Sequence, residues 1–384
     1  MTDNKNNSSI NKDNNYKVTT GKIIIDNDNI NNNWKIKKVN EFLIDANKDL
    51  NIGFELGNTE CKIGIINQFS NCVELWVPYD DDKNTSIPTL ISFKDKNDNI
   101  IIGNNAEELK INNPVYTIFN FIKFIGINSN EIEGKKELWA YKLYNNIKSG
   151  RPYIKGYYNG YKNKIYNFED LLSLYLRKLF ELLFNKIKFK NSSNNNNLIK
   201  INIVVSVPNH FNYFQRKVVK KIFQTQLFPK IKKNNNLSNY YSEDNINKNK
   251  VELYSFGKYN IQINNIKIEN SSNIGYLYLF QKQIENNFKK INKNIILIHI
   301  EGGSINISLI STLIKNDITE KEKEKEKENK NEEKNNKYEI KEINGLKFGE
   351  EDFTDNFFNS CLSDFTEKIK DECLKTPSAL EKLR

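Results

Sequence analysis

Apolar residues recur at two spacings along this chain, and the alternation between them predicts its architecture. Residues 51–56 and 62–66 are β-rich runs around a Gly57-Asn58 turn, which is a hairpin signal. Residues 73–77 and 89–93 continue the strand pattern, with Pro88 leading into the second. Residues 104–112 read as a helix stopped ahead of Pro114, and the apolar run 115–125 reads as helical. A second hairpin is expected over 153–158 and 164–166. The clearest helix is 168–187, where Leu171, Leu172, Tyr175, Leu179, Leu182 and Leu183 form a stripe at helical spacing. Asn167 can cap it, with Asp170 placed for a capping box and Glu169 favouring the positive helix end. Residues 201–207 are a continuous β-branched run, expected to be a strand buried on both faces. Pro208 ends that run and 211–223 reads as a helix. Residues 295–300 form a second such run, which turns at Gly302-Gly303 and returns as 305–310. Strand, crossover helix and buried strand together predict an α/β fold with a mixed sheet.

Polar tracts punctuate this pattern. Residues 1–48 are rich in Asn, Lys and Asp and read as a disordered arm. Residues 191–197, 232–250 and 315–337 read as solvated low-complexity insertions, because the alternating charges of 321–328 would set like charges four apart on a helix. The 384 residues carry a formal charge of +10, from 58 Lys and Arg against 48 Asp and Glu. A basic surface suits RNA, a ribosome or acidic lipid, but no compact Arg-rich patch with interleaved aromatics stands out. The plainer reading is a Lys and Asn bias spread over loops.

Cys61, Cys72, Cys361 and Cys373 form no CxxC pair, and only His210 and His299 accompany them, so no metal site is expected and the cysteines read as buried thiols. No apolar leader opens the chain and no long apolar run spans a membrane, so the cytoplasm or nucleus is the default expectation.

The two strand–glycine turn–strand units echo one another: IGFELGNTECKIGII begins at Ile52 and IHIEGGSINISLI at Ile298. A duplicated fold would bring both turns to one cleft. A glycine turn presents backbone N–H groups to a phosphate with no Cβ in the way, and a nearby hydroxyl adds a donor. The candidate phosphate-binding residues are Gly57, Asn58, Thr59, Gly302, Gly303, Ser304 and Gly349. Each turn alone is a weak signal, since most such turns only close a hairpin.

Their surroundings resemble the nucleotide-binding domain of the Hsp70 family. IGFELGNT is similar to that family's first phosphate motif, and HIEGGSINIS to its second. ISFKDKNDNIIIGNNAEE from Ile91, IFNFIKFIG from Ile118, IVVSVPNHFNYFQRKVV from Ile203 and FGEEDFTDNFF from Phe348 resemble the intervening and following segments, in family order.

The resemblance implies an actin-like ATPase (ribonuclease H-like) fold with duplicated lobes. Lobe I would span 49–208, and a partial lobe II would span 209–384 with insertions near 232–250 and 315–337. It implies a chaperone with ATP or ADP and Mg2+ in the cleft, and J-domain or nucleotide-exchange co-chaperones as partners. The catalytic positions differ. Glu55 and His299 stand where the resemblance implies cation-organising aspartates, Ile122 where it implies a lysine, Asn270 where it implies a glutamate, and Asn306 where it implies another aspartate. Weak nucleotide binding with hydrolysis lost is therefore expected. Pro208 and Arg216 match family switch positions, and with no peptide-binding domain matched their plainer role is to end a strand and pair on a helix. The alternatives are a non-enzymatic scaffold or co-chaperone, for example at a ribosome, or a truncated gene product. No membrane or DNA partner is expected.

Overall fold

The computed structural model describes residues 23–24, 36–39, 41–45, 47–69, 73–78, 86–93, 100–132, 140–146, 148–158, 161–189, 198–228, 253–256, 259–275, 294–313 and 337–368. Its largest sheet contains β1 (Ile36–Val39), β2 (Leu50–Leu56), β3 (Glu60–Ile66), β4 (Val73–Trp76), β5 (Leu198–Val207), β6 (Leu253–Phe256) and β7 (Tyr259–Asn270). Their order is β6-β7-β5-β2-β3-β4-β1, with Ile87–Pro88 pairing onto β3. β2 and β3 form the hairpin that the Gly57-Asn58 turn predicts, with Glu55 opposite Lys62. β5 runs parallel to both β2 and β7, so the sheet is mixed, as expected.

One face of this sheet carries the core. In β2, Leu50, Ile52, Phe54 and Leu56 point inward, while Asn51 and Gly53 face out. β5 behaves the same way: Ile199, Ile201, Ile203, Val205 and Val207 are buried and Val204 is exposed. The β-branched run is thus buried on one face over most of its length, because side chains alternate along a strand whatever their hydrophobicity. Asn202 Nδ2 donates to Asn51 Oδ1 at 2.9 Å on the outer face.

Helix α1 (Asn104–Asn112) forms as predicted. The run 115–125 does not form a helix. Thr117–Phe119 pairs antiparallel with Leu90–Phe93, and single 3-10 turns flank it at Pro114–Tyr116 and Ile122–Phe124. Thr117, Ile118 and Phe119 are all buried, so the apolar run answers to a buried strand pairing rather than to helical periodicity.

Helix α2 (Phe168–Asn185) lies against the buried sheet face. Asp170 N–H donates to Asn167 Oδ1 at 2.9 Å, and Asn167 N–H donates to Asp170 Oδ2 at 3.2 Å, completing the capping box. Leu171, Leu172, Tyr175, Leu179 and Leu183 are buried, with Leu182 at the margin. Phe180 stacks on Phe54 at 6.3 Å and meets Phe223 edge-on, an aromatic geometry that adds to area burial. Ile187 leaves the helix for a short strand parallel to Phe42–Ile44. Helix α3 (Tyr213–Lys221) opens with a second capping box, Asn212 with Gln215, and continues as a wider turn over Ile222–Gln226.

A second sheet holds β8 (Asn294–Glu301), β9 (Ser304–Leu313) and β10 (Lys337–Leu346), with Ile23–Ile24 on its far edge. Helix α4 (Glu350–Lys368) follows it. β8 is not buried on both faces: Ile296, Ile298 and Ile300 are 66%, 60% and 58% exposed.

Two expected boundaries shift. β1 and Phe42–Ile44 lie inside the segment read as a disordered arm, and Phe42 and Ile44 are core residues. β6 and β7 lie beyond residue 208 yet complete the first sheet, so the first body reaches past the expected end of lobe I. The insertions at 191–197 and 232–250, the 315–336 part of the third tract and residues 1–22 lie outside the described residues.

Candidate nucleotide cleft

Two hairpin tips meet. The β2–β3 turn carries Gly57, Asn58 and Thr59, and the β8–β9 turn carries Gly302 and Gly303 between Glu301 and Ser304. A Cβ placed on Gly302 would lie 2.2 Å from Thr59 Cγ2, and one on Gly303 would lie 2.7 Å from Asn58 Cβ. Each glycine is therefore required by the opposite tip resting on its Cα, not by backbone conformation. Gly349 closes a third side, where a Cβ would lie 2.3 Å from Glu301 O and 2.4 Å from Ser304 N. Within the first tip, Gly57 leaves room for the Glu60 carbonyl, and Thr89 Oγ1 donates to Gly57 O at 3.0 Å.

The seven residues expected to hold phosphate therefore do converge. The side chains of Asn58 and Ser304, however, are already engaged by neighbouring residues. Asn58 Nδ2 donates to Asn120 Oδ1 at 2.9 Å, and its Oδ1 accepts from the Lys123 backbone N–H at 3.2 Å. Ser304 Oγ donates to Glu301 Oε2 at 2.8 Å. Asn306 is fully buried, bridging Ser304 Oγ at 3.2 Å and the Asn209 backbone N–H at 2.8 Å. Helix α4 joins the network through Asn120 Nδ2, which donates to Glu351 Oε2 at 3.3 Å.

The catalytic-position residues have separate fates. Glu55 pairs with Lys62 at 3.5 Å. His299, 41% exposed, sets Nδ1 3.2 Å from Glu301 Oε1. Ile122 is fully buried and brings no amine to the cleft. Asn270 accepts from Arg216. Arg216 also donates to the Phe211 carbonyl at 2.8 Å and reaches the Pro208 and Asn209 carbonyls, so it pins the chain just after β5. That is the pairing role expected for it.

Three neighbours were not singled out as site residues. Lys123, one place after Ile122, is 8% exposed and pairs with Asp352 at 3.9 Å. Glu301 directs a carboxylate among the donors of the second tip. Asn120 bonds to Asn58. The segment IFNFIKFIG holds Asn120 and Lys123, so matching that segment residue by residue is the signal that finds them. Cys61, beside the first tip, is a buried thiol as expected, with its pKa pushed up to about 11 by burial. Cys361 is partly exposed, and Cys72 and Cys373 lie outside the described residues.

ATP or ADP with Mg2+ is the group the resemblance implies here. A phosphate between the tips would have to displace Asn58 and Thr59 and would face the Glu301 carboxylate. As arranged, these residues do not fit a triphosphate.

Two glycine hairpins thus meet tip to tip beside a mixed sheet flanked by helices. Residues 51–225 match the family model for Hsp70 protein. Heat shock 70 kDa protein 13 of Bos taurus is 32% identical over 96 residues, which are 24% of this chain and 20% of that protein. The Homo sapiens protein of the same name is 31% identical over 96 residues. Heat shock cognate 70 kDa protein 3 of Dictyostelium discoideum is 25% identical over 171 residues, 44% of this chain and 25% of that protein. The segment 51–225 is thus a divergent Hsp70 nucleotide-binding domain. These matches span only a fifth to a quarter of the relatives' own length. Among the described residues, no helix is long and apolar enough to cross a membrane.

Proposed function

We propose that this chain is a chaperone-like Hsp70-family protein whose cleft binds nucleotide weakly and does not hydrolyse ATP. The observation that carries this reading is the closed contact between the tips, Thr59 on Gly302 and Asn58 on Gly303, with Glu301 holding Ser304. Phosphoryl transfer depends on positioning and on charge stabilisation by metal ions and basic groups. The buried Ile122 supplies no ammonium, and the buried ammonium of the next residue, Lys123, lies 3.9 Å from Asp352. Losing one preorganised donor typically costs on the order of 10²–10³ in rate, and several positions differ together here.

The cleft would then act as a fixed joint between the two sheets, with α4 held against it. The duplicated-lobe organisation, and co-chaperones of the J-domain or nucleotide-exchange kind as partners, belong to the same proposal. Single-turnover assays with protein in excess over labelled ATP test it. Phosphate release within about tenfold of the protein-free rate is expected. Release at the rate of an active Hsp70 overturns it.

A further inference from the structure

The hairpin that precedes α2 carries side chains that neither the cleft nor the core uses. Residues 142–167 hold six Lys and Arg and six Tyr, and no Asp or Glu. Within them Tyr144–Asn145, Pro152–Tyr158 and Tyr161–Asn167 form one antiparallel sheet. Its inner face is closed: Ile154, Gly156 and Tyr166 are buried, and the Tyr166 ring lies 4.9 Å from that of Phe93. Tyr153, Lys155 and Ile165 take the opposite face, where Ile165 is exposed. We propose that this outer face binds single-stranded RNA, with Tyr144 and Tyr153 as a stacking platform and Lys155 as a phosphate contact.

The rings already stand as a platform. Tyr144 and Tyr153 are directly opposite on neighbouring strands, so they share a face. Their centroids are 5.4 Å apart and their planes 19° from parallel, a stacked pair. Both are partly exposed. Lys155, two residues on from Tyr153, sets Nζ 4.5 Å from the Tyr144 centroid. Unpaired bases stack on such rings whatever their identity, because every base has a π-face. A base on Tyr144 takes the place of the ammonium, and the flexible lysine stem turns that charge to the adjoining phosphate.

Charge complementarity names the occupant. Lys142, Lys148 and Lys164 are exposed around the same sheet. Arg151, just before the middle strand, lies 5.6 Å from the Phe214 ring and pairs with Glu169. Phe214 and its neighbour Tyr213 are 45% and 78% exposed, so aromatic surface continues onto α3. Five of the six cations in 142–167 are lysines, which meet phosphate as point charges. Cations interleaved with rings fit a polyanion that also carries bases. An acidic peptide offers the charge without the bases, and a lipid surface asks for apolar side chains to insert.

A single strand fits this surface better than a duplex, whose bases are stacked on one another and leave mainly sugar and phosphate within reach. The surface shares no residue with the glycine tips and does not rest on the nucleotide reading. ATP is therefore expected to leave RNA binding unchanged.

The test uses the full chain and a fluorescein-labelled oligouridylate of about ten nucleotides, read by anisotropy. Binding on the order of micromolar is expected at low salt, falling with a log–log salt slope of about −2 for about three phosphate contacts. Tyr144→Ala and Tyr153→Ala are each expected to weaken binding about tenfold with the slope unchanged, and Tyr153→Phe to retain it. Lys155→Gln is expected to make the slope shallower by about 0.7. Lys200→Gln, exposed on β5, is expected to change neither. Circular dichroism checks that the variants fold, and Lys155→Gln, at a partly exposed side chain, serves where a tyrosine variant does not. Absence of binding, or affinity and slope untouched by the Tyr144, Tyr153 and Lys155 substitutions, would overturn the assignment. So would a duplex bound as tightly as the single strand, or displacement by ATP, by polyglutamate at equal charge or by phosphatidylserine vesicles. Tight MgATP binding measured separately would sink the nucleotide reading and leave the RNA surface standing.

Discussion

Substituting Gly302 by Ala tests the contact between the tips. The new methyl would lie 2.2 Å from Thr59 Cγ2, 2.3 Å from Thr59 Oγ1 and 2.8 Å from Thr59 Cβ. Ordinary contact begins near 3.4 Å, so tip or side chain must give way by about an ångström. Forced overpacking of this kind costs about 1–3 kcal/mol. The backbone of Gly302 is outside the left-handed region, so conformational strain adds nothing. Thr59→Gly alone loses packing and adds chain entropy, about 1 kcal/mol. In the double variant the methyl finds the space that Thr59 left. Urea unfolding of the four proteins forms a double-mutant cycle, and the cost of the double variant is expected to fall short of the sum of the two single costs by about 1 kcal/mol or more. Residues out of contact add within about 0.5 kcal/mol. Additivity within that margin would mean that the tips stand apart, leaving room for phosphate and removing the ground for a closed cleft.

Two further outcomes follow from the packing. Among the described residues, His210 has no hydrogen-bond partner at either ring nitrogen, and burial, then Lys347 and Arg216, hold its pKa down to about 4. The unfolded chain takes up this proton below its ordinary pKa of about 6.5 and the folded chain does not until about 4, so stability is full above that window and falls as pH drops through it. Discounted for partial exposure, the loss between pH 7 and 5 is about 1–2 kcal/mol, read as a drop in urea midpoint. His210→Asn should flatten the profile, and an unchanged slope would show that His210 is not held neutral. Phe180→Ala removes a ring fully buried against Phe54 and Phe223 and should cost about 3–5 kcal/mol in the same unfolding assay. A cost below about 1 kcal/mol would contradict the packing of α2 on the sheet.

Local chemistry made part of this molecule readable. The Gly57-Asn58 hairpin, α1 and the Asn167–Asp170 capping box need only neighbouring residues, and each forms where expected. The run 115–125 misleads because its outcome depends on Leu90–Phe93 lying alongside, a partner remote in sequence. Composition likewise cannot tell that alternate residues of β5 and β8 face outward, since Ile296, Ile298 and Ile300 look as apolar as any core strand.

The cleft divides the same way. Its glycines are visible in sequence because the turns are short motifs. That each glycine seats a side chain of the opposite turn is a property of two segments meeting. Glu301 and Lys123 sit beside expected positions and act only once the fold brings Ser304 and Asp352 to them.

Calorimetric titration of the full chain with MgATP tests the closed-cleft account most directly. The account predicts no measurable heat at micromolar nucleotide, and no rise in unfolding temperature when ATP is added. Saturable binding at micromolar or tighter affinity, with a matching rise in stability, would contradict it.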